Sequence, residues 1–133
     1  MHPLTMNKIL IIEDETVISF GYSLQLEKMG FEVIGTARSS EEAERILDRE
    51  RPDLIIMDVE MPQVGGLDAT VEIKSRWPDI RVIVLMLEMS HRALAESAGA
   101  DACLFKGVPF EELIETVAGL GFDVSIMPAQ RSA

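Results

Sequence analysis

The chain has 133 residues, 47% hydrophobic and 26% charged, a size and balance that give one globular domain with a real core and no room for two. Its net charge of −11 argues against nucleic acid as a direct partner, because phosphate backbones are bound through an excess of Lys and Arg. The single cysteine, Cys103, excludes an internal disulfide and fits a reducing, cytoplasmic compartment. No apolar run is long enough for a membrane span, and the opening "MHPLTMNK" carries no signal-peptide pattern.

Ile9 to Ile12 is an apolar run without alternation, the pattern of a parallel strand covered on both faces. Ile18, Tyr22, Leu26 and Met29 then recur at helical spacing, and Phe31 to Ile34 forms a second strand. In "SSEEAE", Ser39 or Ser40 can cap a second helix whose first glutamates suit its N-terminus and whose inner face is Ala43, Ile46 and Leu47. Leu54 to Met57 is a third strand, and Leu67, Val71 and Lys74 outline a weaker third helix ending near Trp77-Pro78. Val82 to Leu87 is a fourth strand, followed by a short Ala-rich helix around "HRALAESAGA" with Gly99 as its stop. Ala102 to Phe105 is the fifth strand. Phe110, Leu113, Ile114 and Val117 give the last helix, with Pro109 near its start.

Five βα units joined by right-handed crossovers predict an α/β fold, a doubly wound five-stranded parallel sheet. The domain is expected over residues 1–119, its core starting at about residue 7. Residues 120–133 are expected to be a flexible tail, with "FDVSIM" reading as a chain end rather than an edge strand.

Ligands of such sheets sit at the C-terminal ends of the strands, where strand order reverses. The first strand runs into Glu13-Asp14-Glu15, the third into Asp58 and the fifth into Lys106. If the first and third strands are neighbours, Glu13, Asp14 and Asp58 converge. Carboxylates packed together raise each other's pKa unless a cation intervenes, and a hard divalent ion with oxygen ligands, Mg²⁺, is the natural resolution. A carboxylate beside a divalent ion and an ammonium is a nucleophile suited to phosphorus, so Asp58 is a candidate for an aspartyl phosphate. Glu15 reads as a helix-start residue rather than a ligand.

The stretches "ILIIEDE", "DLIIMDVEMPQVGGLD" and "GADACLFK", set in five βα units, resemble a response-regulator receiver domain of two-component signalling (CheY-like) over roughly residues 7–119. The resemblance implies a flavodoxin-like (βα)5 sheet of order 2-1-3-4-5 with Asp58 as phosphoacceptor. It implies Mg²⁺ bound by Asp14, Asp58 and the backbone carbonyl of Glu60, with Glu13 acting through water. Lys106 would contact the phosphoryl group, and Pro62 with Gly65-Gly66 would shape the loop that closes the site. The implied partners are a histidine kinase or histidine phosphotransfer protein upstream, and a protein downstream on the face of the fourth helix, fifth strand and fifth helix. Neither nucleic acid nor membrane is expected as a partner, and the chain is expected to act as a stand-alone receiver.

Three positions depart from that family's pattern. Met86 stands where the family has a Ser or Thr hydroxyl, and Leu87 follows where a small residue is common; together they are expected to narrow access to Asp58. Cys103 stands where a Tyr or Phe often swings inward, while Phe105 lies two residues on, on the same strand face. Gly107 replaces a Pro after the lysine, and the stretch between Met86 and Gly99 is shorter than is common. Cys103 reads as a small buried hydrophobe, Met57, Met61, Met86 and Met89 as core fillers, and His91 as an exposed helix residue. These departures keep open a receiver-like adaptor that docks without phosphorylation. A Mg²⁺-dependent phosphohydrolase of the haloacid-dehalogenase kind fits least, since Glu60 stands where a second Asp is wanted.

Overall fold

A computed structural model describes residues 7–60 and 65–124, in which strands and helices alternate strictly. The strands are β1 (Lys8–Ile12), β2 (Glu32–Ala37), β3 (Leu54–Asp58), β4 (Arg81–Met86) and β5 (Ala102–Phe105). The helices are α1 (Thr16–Lys28), α2 (Ser40–Arg49), α3 (Gly66–Arg76), α4 (Ser90–Ala98) and α5 (Phe110–Gly119). Every neighbouring pair of strands is parallel, in the order β2-β1-β3-β4-β5. The expected doubly wound sheet is the observed one.

Side chains alternate across each strand, so the apolar runs feed two cores. Ile9, Ile11, Leu54, Ile56, Ile83 and Leu85 pack with α1 and α5. Leu10, Ile12, Ile55, Met57, Val84 and Met86 pack on the other face with α2, α3 and α4. Each fully buried aliphatic side chain contributes roughly 1.5–3 kcal/mol. β3 is buried along its whole length, and its last residue is Asp58.

Ser39 makes the α2 cap: its Oγ accepts from the Glu42 N–H at 3.2 Å, while Glu42 Oε1 accepts from the Arg38 N–H at 2.8 Å. Gly99 ends α4 in the left-handed region (φ 103°), and α4 is the shortest of the five helices at nine residues. Among the described residues no helix is long and apolar enough to cross a membrane.

Several sequence expectations shift. The inner face of α3 is Gly66, Ala69, Thr70 and Ile73, while Val71 points outward. Small residues are needed there because the helix start lies close on the backbone of β3. Lys74 is not an inner-face residue either; its Nζ binds Asp101 Oδ2 (3.0 Å) and the carbonyls of Ile80 (2.8 Å) and Pro78 (3.1 Å). β2 begins at Glu32, after a buried Phe31 that sits in the preceding turn, and β4 stops at Met86. Within the stretch expected to be tail, Phe122 is buried in the α1–α5 core, and Leu120 and Val124 pack against it. Met61 and Pro62, His2, and the tail from Ser125 onward lie outside the described residues.

Candidate functional site

The β1–β3 pairing places Ile12 beside Met57, so the residues that follow, Glu13 and Asp58, emerge side by side at the C-terminal edge. Glu13 and Asp58 are 2% and 1% exposed. One oxygen from each of Glu13, Asp14 and Asp58 falls in a group spanning at most 4.8 Å. A cleft of about 700 Å³ opens over them, with Asp58, Asp14, Glu60, Lys106 and Leu87 on its walls and Ile18 and Tyr22 of α1 on its flank.

Asp58 and Glu13 each hold a backbone partner. Asp58 Oδ1 accepts the Glu60 N–H at 2.9 Å, and Glu13 Oε2 accepts the Glu15 N–H at 3.0 Å. Lys106 follows β5 directly, its own N–H held by the Met86 carbonyl. Its Nζ reaches Asp58 Oδ2 at 2.9 Å, Glu13 Oε2 at 3.3 Å and Glu15 Oε1 at 3.7 Å. Glu15 thus stands at the N-cap of α1, as its position predicts, and also adds negative charge beside the lysine. Burial opposes the lysine's charge, but the bond and the charges of Asp58 and Glu13 outweigh it and raise its pKa. Burial and the adjacent Asp58 push the Glu13 carboxyl up to about 7, against the Glu15 N–H and Lys106. Tyr22, on the cleft wall, is raised by burial and by the charge of Glu13.

Glu13 Oε1 is buried with no hydrogen-bond partner among the described residues. Three convergent carboxylates, one with an orphaned oxygen, form a donor set that fits a hard oxygen-preferring cation of the Mg²⁺ type. On the loop side, a Cβ on Gly66 would lie 2.6 Å from the Asp58 carbonyl oxygen and 2.7 Å from Val59 Cα, so only glycine allows α3 to start so close to β3. Gly65, with nothing within 4 Å, is under no such constraint.

The family model for the response regulator receiver domain matches residues 9–118. The chain belongs to the response-regulator receiver family. It is 38% identical over 113 residues to the transcriptional regulatory protein PdtaR of Mycobacterium tuberculosis, and 31% identical over 115 residues to the response regulator GacA of Pseudomonas aeruginosa. These alignments cover 83% and 84% of the chain but 54% of either relative, so the receiver spans about half the length of the curated relatives it matches. Among solved structures, the response regulator TrrA of Thermotoga maritima, determined in complex with Mg²⁺-BeF, superposes with a TM-score of 0.78 at 34% identity, covering 86% of this chain and 99% of that one. A CheY-like receiver from Methanospirillum hungatei, at 24% identity, shares the fold with a TM-score of 0.80 over 87% and 94% of the two chains.

The receiver's atypical positions separate in space. Met86 is fully buried in the core beneath α4, with Ala95 and Cys103 in the same cluster. It does not wall the cleft; Leu87 does, 58% exposed at the rim. Of the two side chains expected to narrow access, only Leu87 reaches the cleft, because β4 ends at Met86 with that side chain on its inner face. Cys103 is buried as read, its thiol pKa raised by burial, and Phe105 is 38% exposed. Gly107 takes a left-handed turn (φ 94°), and the described residues contain no cis peptide bond.

His91 departs most from its expectation. It is half-buried, with Nδ1 2.9 Å from Glu60 Oε2. The sequence held a weak signal for this, a His in the first turn of a helix that begins at the ligand-binding edge, but the pairing crosses from the loop after β3 to the start of α4 and has no local pattern.

Proposed function

We propose that this receiver accepts a phosphoryl group on Asp58, in a Mg²⁺-dependent phosphorelay, and signals by protein contact. The observation that carries the reading is the placement of Asp58: buried at the end of β3, 2.9 Å from Lys106 Nζ, and grouped with Glu13 and Asp14 under an open cleft. A carboxylate oxygen of Asp58 attacks phosphorus, the P–N bond of a phosphohistidine breaks, and the imidazole leaves with the bonding pair. Lys106 neutralises charge on the transferring group. Asp14, Asp58 and the Glu60 carbonyl would hold Mg²⁺, with Glu13 acting through water, and the ion would supply further neutralisation of that group's oxygens.

The donor, a histidine kinase or histidine phosphotransfer protein, must bring its imidazole to the cleft. The flank it meets is α1, where Val17, Phe20 and Leu24 form an exposed apolar stripe and Val17 also lines the cleft. Output is assigned to the face of α4, β5 and α5, where Leu94 and Phe105 are exposed. The chemistry is confined to the chain's own Asp58 rather than to turnover of free substrates, and the single unpaired thiol supports a cytoplasmic setting.

A second reading is favoured by the buried Met86 and Cys103, which supply neither hydroxyl nor swinging ring: an adaptor whose docking ignores phosphorylation. Intact-mass measurement after incubation with acetyl phosphate, with Mg²⁺ and with EDTA, tests the first. A Mg²⁺-dependent gain of one phosphoryl group, absent in Asp58→Asn, supports it. Partner affinity unchanged by Asp58→Asn supports the adaptor.

A further inference from the structure

Among the described residues, Glu60 of the β3–α3 loop meets His91 at the start of α4. Glu60 Oε2 and His91 Nδ1 are 2.9 Å apart, on side chains 29% and 26% exposed. Both atoms are shielded from solvent, and neither makes an aligned hydrogen bond to a described residue. The pair is therefore a close electrostatic contact, and loss of either member leaves the other shielded and uncompensated.

Three observations give the contact a consequence. First, Glu60 is tied to the phosphoacceptor, its N–H donating to Asp58 Oδ1 at 2.9 Å. Second, α4 has little side-chain support at its start: Met89 at its N-cap offers no side-chain bond, the first turn has no acid, and Glu88 just before it accepts from Ser90 Oγ only at 3.4 Å. Glu60 brings a carboxylate from outside to that helix start, where negative charge is favoured. Third, Met86, at the position where the family has a hydroxyl, is buried and has no donor to offer the site. Around α4, Leu87, Met89 and Leu94 are 58%, 59% and 54% exposed.

We propose that the Glu60–His91 contact couples the state of Asp58 to the position of α4, and so to the apolar patch of Leu87, Met89 and Leu94. The proposal rests on the phosphoacceptor reading. Forming an acyl phosphate changes the charge that Asp58 offers the Glu60 N–H, so the Glu60 backbone shifts. His91 must follow or lose its partner. The coupling is reciprocal, so the position of α4 biases the site in return.

Amide hydrogen exchange over residues 90–98, with and without beryllofluoride and Mg²⁺, tests this on wild type, His91→Gln, Glu60→Gln and the double variant. Acetyl phosphate loading of Asp58 is read in parallel by intact mass. In wild type, exchange in α4 should change about fivefold or more on adding beryllofluoride, the low end of allosteric couplings. That response should collapse in either single variant and fall no further in the double, the signature of one shared interaction. His91→Gln should still load Asp58. A full α4 response in both single variants, or no α4 response in a wild type that loads, overturns the coupling alone. A wild type that neither loads nor responds overturns the phosphoacceptor reading and takes the coupling with it. Should His91→Gln lose its fold by circular dichroism, Glu60→Gln, which keeps the backbone, decides the matter.

Discussion

Lys106 Nζ sits 2.9 Å from Asp58 Oδ2 and 3.3 Å from Glu13 Oε2, so a single ammonium bridges two carboxylates that are almost wholly withdrawn from water. Replacing it by Met should leave both acids buried without a cation, a loss on the order of 3 kcal/mol. Urea unfolding in EDTA should show the drop in midpoint, and millimolar Mg²⁺ should restore part of it. A midpoint unchanged in EDTA would mean that the lysine does not neutralise the acids.

Glu13 should set the pH dependence of cation binding. Burial and Asp58 raise its carboxyl from 4.5 to about 7, so the folded chain holds this proton across a range where the unfolded chain has released it. Stability from this group is complete below pH 4.5 and falls as pH rises toward 7. A cation must displace the proton, so Mg²⁺ should bind more tightly at pH 8 than at pH 6 and raise the melting temperature more at the higher pH. Equal Mg²⁺ shifts at the two pH values would contradict the raised carboxyl.

The two adjacent glycines before α3 should behave oppositely. Gly66→Ala forces a methyl to 2.6 Å from the Asp58 carbonyl oxygen, whereas Gly65→Ala meets nothing within 4 Å. Gly66→Ala should destabilise by about 1–3 kcal/mol, as overpacking does, and should lower acetyl phosphate loading by displacing Asp58. Gly65→Ala should change neither. Similar melting temperatures for the two variants would show that the α3 start can shift freely.

The sheet and its acidic edge were legible because they rest on local patterns. Uninterrupted runs such as Leu54 to Met57 mark parallel strands, and an acid at the end of such a run is costly enough to require a reason. Strand order then brings Glu13, Asp58 and Lys106 together. What the sequence did not show depends on side chains that meet across the fold. The inner face of α3 is set by close approach to β3, so Ala69 and Gly66 lie inward and Val71 outward. The Glu60–His91 pair and the Lys74–Asp101 pair span 31 and 27 positions and follow no spacing rule.

Met86 tests whether the missing hydroxyl can be put back by one substitution. The side chain is fully buried among Val84, Ala95 and Cys103 rather than on the cleft wall. Met86→Thr should therefore open a void and bury a hydroxyl, costing about 2–4 kcal/mol. The thermal midpoint should fall, with no gain in phosphoryl loading. A stable variant with greater loading would show that the β4 end can turn its side chain to the site.

Lys74 separates stability from chemistry. Its Nζ joins α3 to Asp101 and to the carbonyls of Pro78 and Ile80, on the far side of α3 from its start beside Asp58. Lys74→Met removes three charge-assisted bonds; Asp101 keeps the Val82 N–H at 2.8 Å and Arg81 at 3.5 Å. The expected loss is about 2 kcal/mol, seen as a lower urea midpoint. Loading of Asp58 by acetyl phosphate, measured well below that midpoint, should match wild type. A variant that loads poorly while still folded would place Lys74 in the path between the α3 packing and the site, and would show that the α4–β5 turn bearing Asp101 communicates with Asp58.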